Sequence, residues 1–439
     1  MECKKINKIW DYTSYIICFF LAVIVSKNDL KFMAGAILIL EGFALYILNY
    51  MRTQNLVDMR GLFSGSWIVG MGLSCLQLSK LQSDWEDMTW LCFFCVYLVF
   101  MLAFDLAEKF AGNQTKKAVD LQKNVQHSVR ILHCIVALAG ISSACFLLEA
   151  MVLGFIPLFS PEPHAYSYFH ISGVHYFTIS CILIPAMTVI YTKVIENWNK
   201  KTIILLLVCN MTAFAIPILC VSRFQMLFAV GFAAIIYLML YKKITWKMIV
   251  GVILIVIPLY LLLSVARRHD VSYLNGIFEM KNVDTPIFVT QPYIYIAANY
   301  DNFNCLVAQI SEFTHGLKML FPAIALSGLK FIRPELATFP VYIIKTELTT
   351  LTMFYDAYYD FGIVGIIGFA FLLGIIANKL NMWVAKSRNP ISYMFYGQIA
   401  VYFTLSFFTT WFSNPTTWFW LALTLAMYLY IGYKKKEKK

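Results

Sequence analysis

The chain has 439 residues, 60% of them hydrophobic and only 13% charged, with a mean hydropathy of +0.70. Soluble domains carry about 25% charged residues, so a water-soluble globule of this size is excluded. The formal net charge of +11 does not point to nucleic acid, because many basic residues sit in short stretches between apolar blocks. A transmembrane β-barrel is excluded too, since the alternating segments of about ten residues that it requires are missing.

In chain order, apolar runs of roughly 20 residues, the length that crosses a hydrocarbon core about 30 Å thick, place spans near 11–26, 30–50, 62–79, 88–104, 131–154, 173–192, 202–222, 224–241 and 246–265. A break follows, and spans resume near 361–384, 391–412 and 416–433. No cleavable leader is evident, because the first apolar run lacks a small-residue cleavage site and leads directly into another span. The expected fold is therefore an all-α polytopic membrane protein of about 12 transmembrane helices. An even number puts both termini on one side. The stretches on that side hold 24 Lys and Arg, and the short loops opposite hold only Lys27, Lys31, Lys80 and Arg223. Both termini are thus expected in the cytoplasm.

This divides the chain into a nine-helix membrane region (1–265), a long extracytoplasmic loop (266–360) and a three-helix membrane region (361–439) with a basic cytoplasmic tail. Loops of such length without their own structure are uncommon and usually functional. Within it Met319–Ile332 and Phe339–Ile344 are apolar but too short to span, which predicts interfacial or re-entrant helices. Tyr293, Tyr295, Tyr300, Tyr355, Tyr358 and Tyr359 make it aromatic, as a surface meeting lipid headgroups and sugars requires. Nearly all of the 11 cysteines fall inside apolar runs, so no disulfide framework is implied, and Cys92 and Cys95 read as helix packing.

The groups able to do chemistry collect on the outward side. Five of the seven histidines lie there: His164, His170, His175, His269 and His315. Arg223 sits in AIPILCVSRFQMLFAVGF, between two apolar runs, where an unpartnered guanidinium costs a few kcal/mol. Its fork of donors fits phosphate oxygens bidentately. Arg267 and Arg268 end the ninth span in LLLSVARRHD, and Lys330 and Arg333 lie in LSGLKFIRPE. Together they form a candidate clamp for a lipid diphosphate. The plainer alternative is snorkelling, or pairing with Glu149, Asp270 or Glu335.

Glycosyl transfer needs a base for the attacking hydroxyl, for which Asp, Glu and His all serve. The long loop has no D-x-D pair, so a metal-chelating sugar–nucleotide site is unsupported, and a cationic cluster can stabilise a departing diphosphate without metal. Glu41, mid-span in ILILEGFAL, reads either as a paired structural acid or as part of a proton or substrate path. Walker, H-E-x-x-H and G-x-S-x-G motifs are absent from the sequence.

LTMFYDAYYDFGIVGIIGFAFLLGIIANKL (Leu351 to Leu380) resembles the end of the long outer loop in Wzy-type oligosaccharide repeat-unit (O-antigen and capsular polysaccharide) polymerases. VSRFQMLFAVGFAAIIYLML resembles that family's Ser-Arg at the outer start of a span, and GFIPLFSPEPHAYSYFHISGVHYF its Pro-rich outer connection. The resemblance covers roughly Met151 to Leu380. It implies a GT-C-like, metal-independent membrane glycosyltransferase of the cytoplasmic membrane, without cofactor and with its site facing outward. The enzyme would move a growing glycan from undecaprenyl diphosphate onto the next undecaprenyl-diphosphate-linked unit.

The resemblance also implies roles for particular residues. Arg223 matches by motif position as a diphosphate ligand, while Arg267, Arg268 and Arg333 match only by location, and Lys330 stays a candidate from its place beside Arg333. His315, Asp356 and Asp360 become the candidate bases, His315 first because imidazole titrates near neutrality. Tyr355, Tyr359 and His170 become candidate glycan contacts. Implied partners are the lipid-linked oligosaccharide, membrane lipid, a flippase and a chain-length regulator. The alternatives are a lipid-linked oligosaccharide flippase or other transporter, and a ligase-like glycosyltransferase. A one-sided loop after nine spans favours outward chemistry over passage, because transporters tend to show related halves with midplane charges.

Overall fold

The computed structural model describes residues 8–110, 121–162, 165–244, 246, 250, 251, 253, 254 and 271–433. Among them there is no strand, only an isolated antiparallel bridge between Ser79 and Met280. Eight helices are long and apolar enough to cross a membrane: Ile9–Lys27, Lys31–Thr53, Asp87–Phe110, Val125–Leu153, Val174–Val194, Lys200–Leu219, Arg223–Tyr241 and Tyr355–Lys386. The chain is a multi-span α-helical membrane protein. Of the other expected spans, 62–79 corresponds to the 17-residue helix Met59–Cys75, 391–412 to the 13-residue helix Ser392–Thr404 followed by turns, and 416–433 to Pro415–Gly432. Most of 246–265 lies outside the described residues.

Two compact units interleave along the sequence. The first comprises Met1–Thr115, Asp270–Met382 and Tyr402–Trp418; the second comprises Lys116–His269, Trp383–Val401 and Phe419–Lys439.

In the first unit, Lys31–Thr53 and Met59–Cys75 approach backbone to backbone. A Cβ on Gly35 would stand 2.7 Å from the Gly72 carbonyl, and one on Gly72 would stand 2.8 Å from the Gly35 carbonyl. Small residues permit such contact in hydrocarbon, where close packing must replace the hydrophobic drive. At one end of this helix group a charged network is buried. Arg60 pairs with Asp11 at 3.0 Å and with Asp105 at 2.8 Å, Arg52 forks onto Asp11, and the side chains of both Arg60 and Asp11 are only 3% exposed. Removing one member of such a buried network strands its partner charge, at a cost of about 3–5 kcal/mol. Glu41 accepts a 2.8 Å hydrogen bond from Ser14 on the neighbouring helix, the paired arrangement that a structural acid needs.

The segment expected as loop contains a 23-residue helix, Ile287–Gln309, which packs on Met59–Cys75 and Asp87–Phe110 and buries Asn299, Asp301, Asn302 and Asn304. Two of these residues hold backbone from other segments, and Asn299 accepts from the Thr350 hydroxyl at 2.6 Å. Asn302 donates to the Leu348 and Thr350 carbonyls at 2.8 and 2.9 Å and accepts from Ile344 N–H at 2.8 Å. Asn304 accepts from Glu86 N–H at 2.9 Å and from the Thr89 hydroxyl at 2.7 Å. The helix therefore fixes the 344–350 strip that leads into the site below.

Asp301 accepts from Trp85 Nε1 (3.0 Å), Gln82 Nε2 (2.8 Å) and the Ser74 hydroxyl (3.2 Å). Burial nevertheless dominates and pushes its carboxyl up to about 7. In the unfolded chain the same group ionises near pH 4. Between these values the folded state binds more protons, so the stabilisation is complete below the unfolded pKa and lost as pH rises through 7. The effect is on the order of 4 kcal/mol. The melting temperature of the purified protein is expected to fall between about pH 4 and pH 7 and to level off above. Asp301→Asn should flatten that fall; an unchanged slope in the variant would assign the pH dependence elsewhere.

The second unit packs Val125–Leu153, Val174–Val194, Lys200–Leu219 and Arg223–Tyr241 around a core that includes Ile182, Leu183, Met187, Ile190, Phe232 and Ile236. Arg130 donates to the Tyr430 and Ile431 carbonyls at 3.2 and 2.9 Å, supplying the C-terminal end of Pro415–Gly432 with the cationic donor that helix ends favour.

Candidate active site

The site in the first unit is built on a broken helix. Within Tyr355–Lys386, Gly362 has φ 59° and ψ −143°, a conformation essentially restricted to glycine. The seven residues before it, carrying Tyr355, Asp356, Tyr359 and Asp360, therefore turn away from the axis of the following span. A Cβ on Gly362 would also meet the Phe313 ring at 3.0 Å. Gly362→Ala is expected to lower both activity and melting temperature, with strain of about 1–3 kcal/mol. Gly368→Ala, where a Cβ meets nothing within 4 Å, should alter neither. Equal behaviour of the two variants in an activity assay and a melt would show that the kink is not needed.

Asp360, fully buried, caps the helix Leu317–Leu326 from outside. Its carboxylate accepts from the backbone N–H groups of Lys318 (3.0 Å) and Met319 (2.8 Å) and from the Thr314 hydroxyl. A carboxylate at a helix N-terminus meets otherwise unpaired donors and the positive end of the dipole. With its oxygens so occupied, Asp360 serves as an anchor, and what it anchors is Lys318. The backbone N–H of His315 bonds to the Asp360 carbonyl at 3.1 Å, in a reversal where His315 (φ 52°) and Gly316 (φ 102°) are both left-handed. The His315 side chain itself is exposed.

Lys318 reaches back to Asp356, Nζ to Oδ1 at 3.4 Å, with its ammonium 5.0 Å from the Tyr359 ring centre and 5.5 Å from that of Phe339. Aromatic faces favour a cation at such distances. Asp356 is buried, and among the described residues none donates a hydrogen bond to its Oδ1. Lys318 and Asp356 line a cavity of about 290 Å³ together with Phe321, Phe339, Thr410, Ser413 and Asn414. With the Lys318 ammonium near it, at 3.4 Å, but no hydrogen-bond donor among the described residues, an acceptor oxygen at the edge of a cavity of mixed lining is the feature that most needs a partner, because buried polar groups are otherwise nearly always satisfied.

The expected aromatic sugar-binding surface is instead a buried wall. Tyr355 and Tyr359 are 0% and 2% exposed. The Tyr355 hydroxyl donates to the Tyr342 carbonyl at 2.9 Å and accepts from Tyr342 N–H at 3.0 Å, and Tyr359 donates to the Pro340 carbonyl at 3.1 Å. These hydroxyls hold the 340–342 strip in place, and the rings shape the cavity. Lys330 lies over the Phe331 ring at 4.9 Å, on the short helix Leu329–Ile332, and Arg333 follows it, exposed. Around them Leu320, Leu329, Phe331 and Ile332 are exposed apolar side chains.

Asp356, Asp360, Tyr355, Tyr359 and the His315 backbone thus converge. The residue joining them, Lys318, was not among the expected ones, nor were Thr410, Ser413 and Asn414; their only sequence signal was polarity between apolar runs. Arg223 and His170 belong to the second unit. Arg223 opens the helix Arg223–Tyr241 directly after Ser222, and His170 is exposed in the connection before Val174. Arg267 and Arg268 lie outside the described residues, as does His164.

No curated protein and no solved structure matches the chain. A family model described as "Putative O-antigen polymerase" matches residues 61–409. That interval contains both Ser-Arg at 222–223 and the Lys318 and Asp356 wall of the cavity, while Thr410, Ser413 and Asn414 fall just beyond it, and the chain belongs to the O-antigen polymerase family.

Proposed function

We propose that the protein polymerises lipid-linked oligosaccharide repeat units at the outer leaflet of the cytoplasmic membrane. It moves the growing glycan from one undecaprenyl diphosphate onto a sugar hydroxyl of the next undecaprenyl-diphosphate-linked unit. Twelve spans with both termini in the cytoplasm, as the distribution of basic residues favours, put the Lys318–Asp356 cavity outside. The observation that carries the reading is Asp356 Oδ1, buried without a hydrogen-bond donor at the edge of a cavity of about 290 Å³. That is the lower end of small-molecule pocket volumes, enough for a terminal sugar ring and too little for a whole repeat unit.

In this reading the acceptor hydroxyl donates to Asp356, which takes its proton as the new C–O bond forms. Thr410, Ser413 and Asn414 orient the ring. Lys318 balances the charge of Asp356, and Asp360 keeps Lys318 in place. Arg223 grips the diphosphate of the donor, with Arg267, Arg268, Lys330 and Arg333 as further cations and the exposed apolar residues near Lys330 dipping into lipid. No step requires a metal. His315 and His170 are left as surface contacts for the glycan, and a flippase and a chain-length regulator supply and limit the reaction.

The test is reconstitution. Purified protein given undecaprenyl-diphosphate-linked repeat units is expected to yield products longer by whole repeats and to release undecaprenyl diphosphate. Unchanged single units under conditions where the protein is folded would overturn the proposal.

A further inference from the structure

The second unit holds a buried carboxylate that the reaction above leaves unused. Glu149, near the end of Val125–Leu153, is 0% exposed. Its Oε1 accepts from Ile171 N–H at 2.9 Å and stands 3.1 Å from His175 Nδ1, with Oε2 at 3.2 Å from the same nitrogen. A carboxylate bonded at Nδ1 fixes the ring orientation and leaves Nε2 on the opposite edge for another partner. The His175 side chain is 26% exposed, and among the described residues none hydrogen-bonds to Nε2.

The connection that leads into the His175 helix also packs beside the start of the Arg223 helix. Its Leu158 and Tyr166 pack on Val221 and Met226, which flank Arg223 in sequence. The helix opened by Arg223 packs on Ile179–Leu183, the turn that continues directly from the His175 helix. The segments on both sides of His175 therefore pack against the start of the helix that Arg223 opens, in the same unit.

We infer that His175, oriented by Glu149, contacts the diphosphate of the lipid carrier alongside Arg223; this rests on the reading that Arg223 grips that diphosphate. A doubly protonated imidazole donates from both nitrogens, Nδ1–H to Glu149 and Nε2–H to a phosphate oxygen. Glu149 acts through His175 and is a positioning residue.

The probe is farnesyl diphosphate, a short polyprenyl diphosphate, bound to the purified full chain in detergent, with farnesol as the uncharged control. His175→Gln is expected to weaken farnesyl diphosphate binding about tenfold, the order expected for one charge-assisted hydrogen bond. Glu149→Gln should weaken it less, and neither should change farnesol binding, which a merely structural disturbance would lower as well. In the unmutated protein, farnesyl diphosphate should protect His175 from diethyl pyrocarbonate, read by mass spectrometry, and farnesol should not. This second measurement decides the matter if a variant fails to fold. Full-strength binding by His175→Gln, or equal modification with and without the diphosphate, overturns the inference. If Arg223→Ala loses binding while both His175 results are negative, the Arg223 reading stands and this inference falls. If the unmutated chain does not bind the diphosphate at all, both fall.

Discussion

Asp356→Asn is expected to cut the polymerisation rate by about 10²- to 10⁴-fold, the usual contribution of a positioned general base. The amide keeps the size of the carboxylate and its oxygen can still face Lys318, so protein abundance should stay near normal. What it loses is the ability to take a proton. Lys318→Met is expected to behave differently, because it leaves the Asp356 charge buried without its cation, 5% exposed, and should lower both stability and rate. Quantitative glycan ladders alongside immunoblots check the pair. A full ladder from Asp356→Asn would remove this carboxylate from the reaction, whatever its surroundings.

Arg223→Ala is expected to abolish long glycan and leave single repeat units on the carrier or acceptor lipid, again with normal protein level. Arg223→Lys should recover little, since a point charge does not reproduce a fork that meets two phosphate oxygens at once. The expected loss is about 10²-fold or more, in keeping with the removal of a group that stabilises developing charge on a leaving group. Normal-length polymer from either variant would separate Arg223 from the diphosphate. Because the helix Arg223–Tyr241 begins at this residue, a melt of each variant is the appropriate control for helix loss.

The sequence discloses the spans because their signal is local: apolar runs of membrane length with basic residues at one end. It also discloses the Tyr/Asp/Phe/Gly run whose glycine makes the kink at 362. The helix Ile287–Gln309 is hidden because Asn299, Asp301, Asn302 and Asn304 read as solvent-facing residues, whereas all four are buried and hydrogen-bonded to neighbouring segments. Lys318 is hidden for a different reason. Its placement depends on a cap by Asp360, 42 residues further along the chain, which no local spacing encodes.

The tyrosines mislead in the same way. Composition describes an aromatic loop, but Tyr355 and Tyr359 spend their hydroxyls on the carbonyls of 340 and 342 and their rings on packing. Counting charges has a related blind spot. Arg52 and Arg60 enter the tally of basic residues on the terminal side, yet both are engaged with the Asp11 carboxylate.

The most direct measurement is the surface glycan ladder of cells lacking this protein, read against the same cells complemented with it. Polymerisation at the outer leaflet predicts that the deleted strain still displays one repeat unit and that complementation restores the ladder. A deleted strain with no surface glycan and lipid-linked units trapped on the cytoplasmic side would contradict it and identify a transporter instead.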